Sequence, residues 1–497
     1  MRIVLIGTLL ATSASLTQAE EFLVRLKAPR TLAKAVESRI SDGILDVFSE
    51  GKILKTFSFG KFEGLTVDFP LSLVSKLRGN PLIAEIVPNV EFNVFDGHGR
   101  PKAWNDDDSD SDDFDDDNEE EEDDDDDDDA LDIAAQKKAP RHLARISRRT
   151  ALPYDPENTA SPGTNLSYYY DDTFSGTCVN AYVIDTGIYK EHPQLEGRAK
   201  FGADLVGEGP GDFNGHGTHV AGLIGSKKFG VAKEVSLIEV KALNAKGQGN
   251  LTSVISAIEF AVNHCRKSRR GCVANLSLGS FRNTVLNQAV EAALEAGVVI
   301  VVAAGNSNAN ACWSSPASSL SAITVGAFDD RTDTIARFSN WGNCVDIFAP
   351  GVKIESLSNV PPFKPVAFSG TSMASPIVSG MVANLLDSGV HPFDVKNELI
   401  ELATDSVFHK RTLLFKPGTP NRVAFTGIDK TDDVFEDAVY PTVDIDRLVK
   451  DLQSYNSDGH VAEDDATLPL GEVKIKKRSQ IVTTLAPPHL SPHSQLA

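Results

Sequence analysis

Apolar and polar positions divide the chain into two stretches with different periods. From residue 20 to about 95 the short apolar runs "EFLVRLK", "GLTVDFP" and "IAEIVPNVEFNVF" alternate as half-buried strands do. Between them, "LAKAVESRI" and "LSLVSKLRGN" repeat their apolar residues at helical spacing. The expectation is a small α+β unit over 20–104. From about 165 to 427 the strands change character: "VNAYVIDTG", "SLIEVKAL", "CVANLSLG" and "VVIVVAAGN" are apolar almost throughout. Amphipathic helices separate them, in "HGTHVAGLIGS", "LTSVISAIEFAVNHC" and "VLNQAVEAALEAG". Strands apolar on both faces, joined by helices, predict an α/β fold in three layers around a mostly parallel sheet. Chemistry in such sheets collects at the carboxyl ends of the strands, and "VIDTG" and "VAAGN" both end in polar residues and glycine.

The ends and the join between the two stretches read differently. Arg2 followed by "IVLIGTLLATSA" and the small residue Ala19 predicts a secretory signal over 1–19. No later run approaches the ~18 apolar residues of a membrane span. The formal charge of −22 on 497 residues belongs to one segment: Asp106 to Asp129 holds 16 Asp and 4 Glu and no basic residue. The remainder is near neutral, with no basic stripe for nucleic acid. A run so charged buries no apolar surface, and 105–138 is expected to be a disordered linker ending in the dibasic pair Lys137–Lys138. The second unit is then expected over 139–427, and the tail over 428–497 is assigned no fold. All five cysteines lie in the second unit, which in an oxidising compartment predicts two pairs and one leftover thiol. Sequons stand at Asn165, Asn250 and Asn275, the last in an apolar run too buried for a glycan.

Three short motifs carry candidate chemistry. "VIDTG" puts Asp185 at a strand end, "NGHGTHVAG" puts His216 at a helix start, and "FSGTSMASP" puts Ser372 at another. A serine hydroxyl becomes a nucleophile when a base takes its proton, and a buried carboxylate fixes the tautomer of that base. Taken singly, Asp185 caps a turn, His216 is a structural histidine and Ser372 is an N-cap. Together, in the order Asp, His, Ser and each beside glycine, they make a catalytic set.

These motifs resemble the subtilisin-like serine proteases, and the chain is most similar to their proteinase K/cerevisin-type fungal and yeast branch over about 20–427. The order of the three residues is the known subtilisin order. The resemblance implies a subtilisin-like fold preceded by a ferredoxin-like inhibitory propeptide over 20–104. It implies Asp185 as orienting carboxylate, His216 as general base and acid, and Ser372 as nucleophile, with His219 packing in the helix. Asn306 in "VAAGN" is implied as the oxyanion-hole amide, working with the Ser372 backbone N–H. Ser277, Leu278 and Gly279 in "SLG", and Gly247 and Gly249 in "KGQG", are implied as the two edges that bind an extended peptide. The implied disulfides are Cys178–Cys272 and Cys312–Cys344 with Cys265 free, although Cys178–Cys265 stays open. Asp346, with carbonyls near Leu320 and Ala322, matches a calcium ligand of some relatives, so a structural calcium is one possibility and a solvated Asp the other. The chemistry itself needs no cofactor.

The expected function is therefore a secreted or vacuolar serine endopeptidase, monomeric and held inactive by its own propeptide, with peptides or proteins as substrates. Glycans are expected at Asn165 and Asn250. The competing reading is a catalytically silent relative that binds partners through the acidic run. A convertase cutting at basic pairs is a distant third, because neither "SLGS" nor "AAGN" brings acidic residues to the cleft.

Overall fold

The alternation in the leading stretch separates two packed faces. The structure, a computed structural model, describes residues 20–27, 52–95, 133–154 and 166–428. The expected signal, the helix at "LAKAVESRI", the acidic run, Asn165 and the tail beyond 428 lie outside the described residues. Strands β1 (Glu20–Leu26), β2 (Lys52–Phe59), β3 (Phe62–Phe69) and β4 (Ile83–Pro88) form an antiparallel sheet in the order β2-β3-β1-β4, with helix α1 (Leu71–Leu77) between β3 and β4. Phe22, Val24, Leu65 and Val67 pack on Val74 and Leu77 of α1. Leu23, Phe57, Phe59 and Phe62 join the core of the larger unit instead. Strand β5 (Glu91–Val94) leaves this sheet altogether.

The second unit opens with β6 (Ile133–Gln136), helix α2 (Arg141–Ile146) and β7 (Tyr168–Asp171). β6 pairs antiparallel with β7 from Ile133↔Asp171 to Gln136↔Tyr168, so residues just ahead of Ala139 belong to this unit. Next come β8 (Val179–Asp185), β9 (Ala199–Asp204), α3 (His216–Gly225), β10 (Ser236–Lys241), β11 (Gln248–Asn250) and α4 (Leu251–Ser268). They are followed by β12 (Gly271–Leu276), β13 (Leu278–Phe281), α5 (Thr284–Glu295), β14 (Val299–Ala303) and β15 (Ser314–Ser315). After these lie β16 (Ala322–Asp329), β17 (Thr334–Ile335), β18 (Ile347–Pro350), β19 (Ile354–Ser356) and β20 (Val366–Phe368). The described chain closes through α6 (Thr371–Asp387), α7 (Val395–Leu402), β21 (Thr404–Asp405) and β22 (Arg422–Val423).

The central sheet has the order β21-β22-β18-β16-β14-β12-β8-β10-β9 and is parallel from β22 to β9. Successive residues of its buried strands serve opposite cores. Tyr182, Ile184, Ile238 and Val240 pack with α4 and α5. Ala181, Val183 and Leu237 pack with α3 and α6. That division explains the continuous apolar runs: each strand has two dry faces. A smaller sheet, β11-β5-β13-β15, joins the two units, with β5 antiparallel to both β11 and β13.

The cysteines correct one expectation. Cys265 is bonded to Cys272, not Cys178 to Cys272, while Cys312–Cys344 forms as expected. Cys265 lies in the last turn of α4. Arg269 then takes a left-handed φ of 55° and turns the chain back into β12, which brings the two Cα atoms to 6.1 Å. Cys178 precedes β8 with its thiol free and exposed.

Two ion pairs fasten α2 to the turn after β16: Arg141 to Asp330 at 2.9 Å and the fully buried Arg145 to Asp333 at 3.1 Å. Removing one partner strands a buried charge, which costs far more than the pair contributes net. Asp333→Ala is expected to lower stability by about 3 kcal/mol in denaturant titration. Equal midpoints for variant and wild type would contradict this role.

Candidate active site

The carboxyl end of β8 delivers Asp185 into a site with no solvent contact. Its Oδ1 accepts from His216 Nδ1 at 2.7 Å and from the Thr186 amide at 2.8 Å. A carboxylate at Nδ1 keeps the proton there and leaves Nε2 as the basic nitrogen. His216 reaches this position because the start of α3 is clamped to the end of β8. Thr186 Oγ1 donates to Asp212 Oδ1 (2.9 Å) and accepts from the Gly217 amide (3.0 Å). Asp212 also receives the Gly215 and Thr218 amides, so it caps the helix as well. Gly217 permits the close approach: a Cβ there would stand 2.1 Å from the Gly187 carbonyl oxygen.

Ser372 is the second residue of α6 and is fully buried. Its Oγ lies 3.3 Å from the Ser277 carbonyl and 3.2 Å from the Phe95 carbonyl; with one proton to give, it serves one of them at a time. Ser277 Oγ in turn donates to the Ser372 carbonyl at 3.0 Å. Asn306 follows β14 and points its Nδ2 at the same Phe95 carbonyl, 2.8 Å away. The Thr371 amide and hydroxyl both donate to Asn306 Oδ1, at 2.9 and 2.8 Å, which fixes the orientation of the amide. Asn340 braces the same loop through the Ser307 and Ala309 amides.

The expected peptide-binding residues line two edges with β5 between them. Gln248 and Gly249 lie opposite Asn93 and Phe92, Leu278 and Gly279 lie opposite Val94 and Asn93, and the Val94 amide donates to the Gly247 carbonyl at 3.0 Å. Sequence reasoning missed Asp212, Thr186, Thr371 and Phe95. Thr186 and Thr371 stand inside the "VIDTG" and "FSGTSMASP" motifs and Asp212 just ahead of "NGHGTHVAG", each signalled only as a polar residue. Phe95 ends an apolar run next to acidic sequence and carries no motif.

Other candidates separate from the site. His219 packs in α3, with Nε2 near the Ile354 and Val366 carbonyls and its ring stacked on Phe368. Burial lowers it to about 3, and its neighbour His216 would lower it further. His142, buried against the Phe229 carbonyl, is lowered by burial to about 4. Asn250 is half-buried and caps α4 through the Ser253 amide. Asn275 is buried, bonded to Ser277, Ser375 and Ser379, as its apolar neighbours led us to expect.

The calcium expectation fails on its own ligands. The Leu320 and Ala322 carbonyls and Asp346 Oδ1 do converge, but on the Lys396 ammonium of α7, at 3.2, 2.9 and 2.8 Å. Burial pushes the Asp346 carboxyl up, and Lys396 pulls it back toward the charged form. An ammonium already supplies the positive charge these oxygens need, so they do not fit a divalent ion. Among the described residues no group of three or more His, Cys, Asp or Glu gathers for a metal.

Two outcomes follow from these groups. Chelator is expected to leave the thermal midpoint unchanged, whereas Lys396→Met lowers it and makes it respond to added calcium; a midpoint that chelator lowers in the wild type would contradict the ammonium's role. The two buried histidines resist protonation when folded but titrate near 6.5 when unfolded, so the unfolded state binds more protons below that pH. Their stabilisation is complete above pH 6.5 and is lost as pH falls toward about 4. His142→Gln is expected to flatten the fall of the thermal midpoint over this window, and an unchanged slope would exclude His142 as a contributor.

Comparison with known proteins agrees with this geometry. The Subtilase family profile (Peptidase_S8) matches residues 179–419. The subtilase-type proteinase RRT12 of Saccharomyces cerevisiae is 45% identical over 488 residues, covering 95% of this chain and 98% of that protein. The subtilisin-like serine protease Rho m 2.0101 of Rhodotorula mucilaginosa is 42% identical, covering 60% of this chain and 89% of its own length. Among solved structures, a cold adapted subtilisin-like serine proteinase superposes with a TM-score of 0.51 at 38% identity, covering 58% of this chain and 98% of that one. The chain belongs to the subtilase family and is a serine endopeptidase.

Proposed function

We propose that Ser372 is the nucleophile, His216 the general base and acid, and Asp185 the orienting carboxylate of this endopeptidase, and that the unit over 20–95 holds it inactive in a precursor. The observation that carries the reading is the convergence of Asn306 Nδ2 and Ser372 Oγ on one peptide carbonyl, at 2.8 and 3.2 Å. A donor within ~2.7–3.1 Å of a carbonyl oxygen suits the charge that develops there during acyl transfer. Ser372 attacks the scissile carbonyl while His216 Nε2 takes its proton. The oxyanion rests against Asn306 and the Ser372 amide, and the leaving amine departs with the proton from His216. Water then hydrolyses the acyl-enzyme by the same route.

Inhibition follows from occupancy. β5 uses the main-chain hydrogen bonds of β11 and β13 that an extended substrate would need, so substrate must displace it. The docked sheet adds the Phe57, Phe59 and Phe62 contacts, the Ser58 amide to Glu259 at 2.8 Å and the Lys61–Glu295 pair. A place in the secretory pathway, secreted or vacuolar, a monomeric state and glycans at Asn165 and Asn250 belong to the same proposal. Among the described residues no helix is long and apolar enough to cross a membrane.

Fluorophosphonate labelling tests the assignment. Wild type is expected to label and Ser372→Ala to stay blank, while Asn306→Ala lowers kcat about 10²–10³-fold, the loss known for the same donor in a subtilisin. A folded, processed wild type that does not label would leave a silent relative as the reading.

A further inference from the structure

β5 runs on into Phe95, and this residue meets the catalytic groups as a substrate residue would. Its carbonyl oxygen takes both the Asn306 and Ser372 contacts. Its ring fills a slot that exists because residue 279 has no side chain: a Cβ on Gly279 would stand 2.1 Å from the ring's Cζ, and one on Gly305 would stand 3.6 Å from it. The peptide bond presented to Ser372 is therefore Phe95–Asp96.

The dibasic pair at Lys137–Lys138 is placed quite differently. It occupies the turn between β6 and α2, where Lys138 has a φ of 53° and the Ala139 amide donates to the Leu166 carbonyl at 2.7 Å. β6 is held by its pairing with β7, by Gln136 Nε2 to the Lys228 carbonyl at 3.0 Å, and by Lys233 Nζ to Gln136 Oε1 at 2.6 Å. A cleft of this kind takes extended chain. To be cut there by Ser372, the turn would have to unfold, peel β6 off β7 and displace β5.

We propose that the chain cuts itself after Phe95, ahead of the acidic run, so that the enzyme begins at Asp96 and its sequence keeps the 20 carboxylates of 106–129 ahead of β6. This rests on the endopeptidase reading above. In the cut, a bond forms between Ser372 Oγ and the Phe95 carbonyl carbon as the Phe95–Asp96 C–N bond breaks. The Ser372 proton passes through His216 to the Asp96 nitrogen, which leaves as the new amino terminus. Water then adds to the acyl carbon, frees Phe95 as a carboxylate and restores the Ser372 hydroxyl.

The test is the N-terminal sequence and intact mass of the fluorophosphonate-labelled species from full-length wild-type protein, with Ser372→Ala beside it. A labelled enzyme that begins at Asp96 and retains the acidic run, with Ser372→Ala uncut, is the expected result. A labelled enzyme that begins at Ala139, or anywhere beyond the acidic run, overturns the proposal and leaves the endopeptidase reading standing. Wild type that neither labels nor is cut removes both. Phe95→Asp, which puts a charge against Gly279 and Gly305, is expected to slow release at least tenfold, while Phe95→Leu stays near the wild-type rate. Lys137→Ala/Lys138→Ala is expected to mature normally, and arrest of that double variant would also overturn the proposal.

Discussion

A strand buried on both faces has only its ends for polar work, and the hydrogen bond from His216 to Asp185 is built on that constraint. β8 is apolar but for Asn180 up to its last residue, where the Asp185 carboxylate sits out of water. A buried charge needs partners. The Thr186 amide is one and the His216 imidazole is the other, at 2.8 and 2.7 Å. Holding the imidazole there requires the start of α3 to lie against the end of β8, which Asp212, Thr186 and Gly217 together arrange. Ser372 enters from α6, which shares the α3 core through Ala374, Ile377 and Val378. The site is thus assembled by the same packing that forms the sheet.

A second constraint lies in the facing edges of β11 and β13, which need a strand between them. Exposed edges recruit strands, and here the recruit is β5 of the same chain. The leading unit is anchored away from the cleft, by aromatic contacts on α4 and α5, and offers β5 to the cleft at high effective concentration. In the proposed reading inhibition needs no distortion of these groups, because Asp185 and His216 hold each other, and Thr371 holds Asn306, beneath β5.

Much of this was legible in the sequence. Continuous apolar strands predicted a parallel sheet, and the motif glycines marked where Asp185, His216 and Ser372 stand. The "SLG" and "KGQG" segments fell at β13 and β11, the two strands that flank β5. What escaped was long-range and carried by ordinary residues. Cys265–Cys272 depends on how tightly the chain turns at Arg269. Lys396 meets Asp346 only because α7 brings its ammonium to the start of β16, and no local pattern links the two. The strand at Ile133–Gln136 is four residues with a partner more than thirty positions away, too short for its period to be read. Phe95 looks like the end of any strand until its carbonyl is seen beside Asn306.

The central claim is that β5 fills the cleft of the uncleaved chain. Amide hydrogen exchange over 247–252 and 278–281 tests it most directly, comparing full-length Ser372→Ala with processed wild type freed of its leading unit. The account predicts slow exchange at these edges in the precursor and fast exchange in the enzyme. Equal exchange in the two forms would contradict it, because the edges would then have no partner to lose.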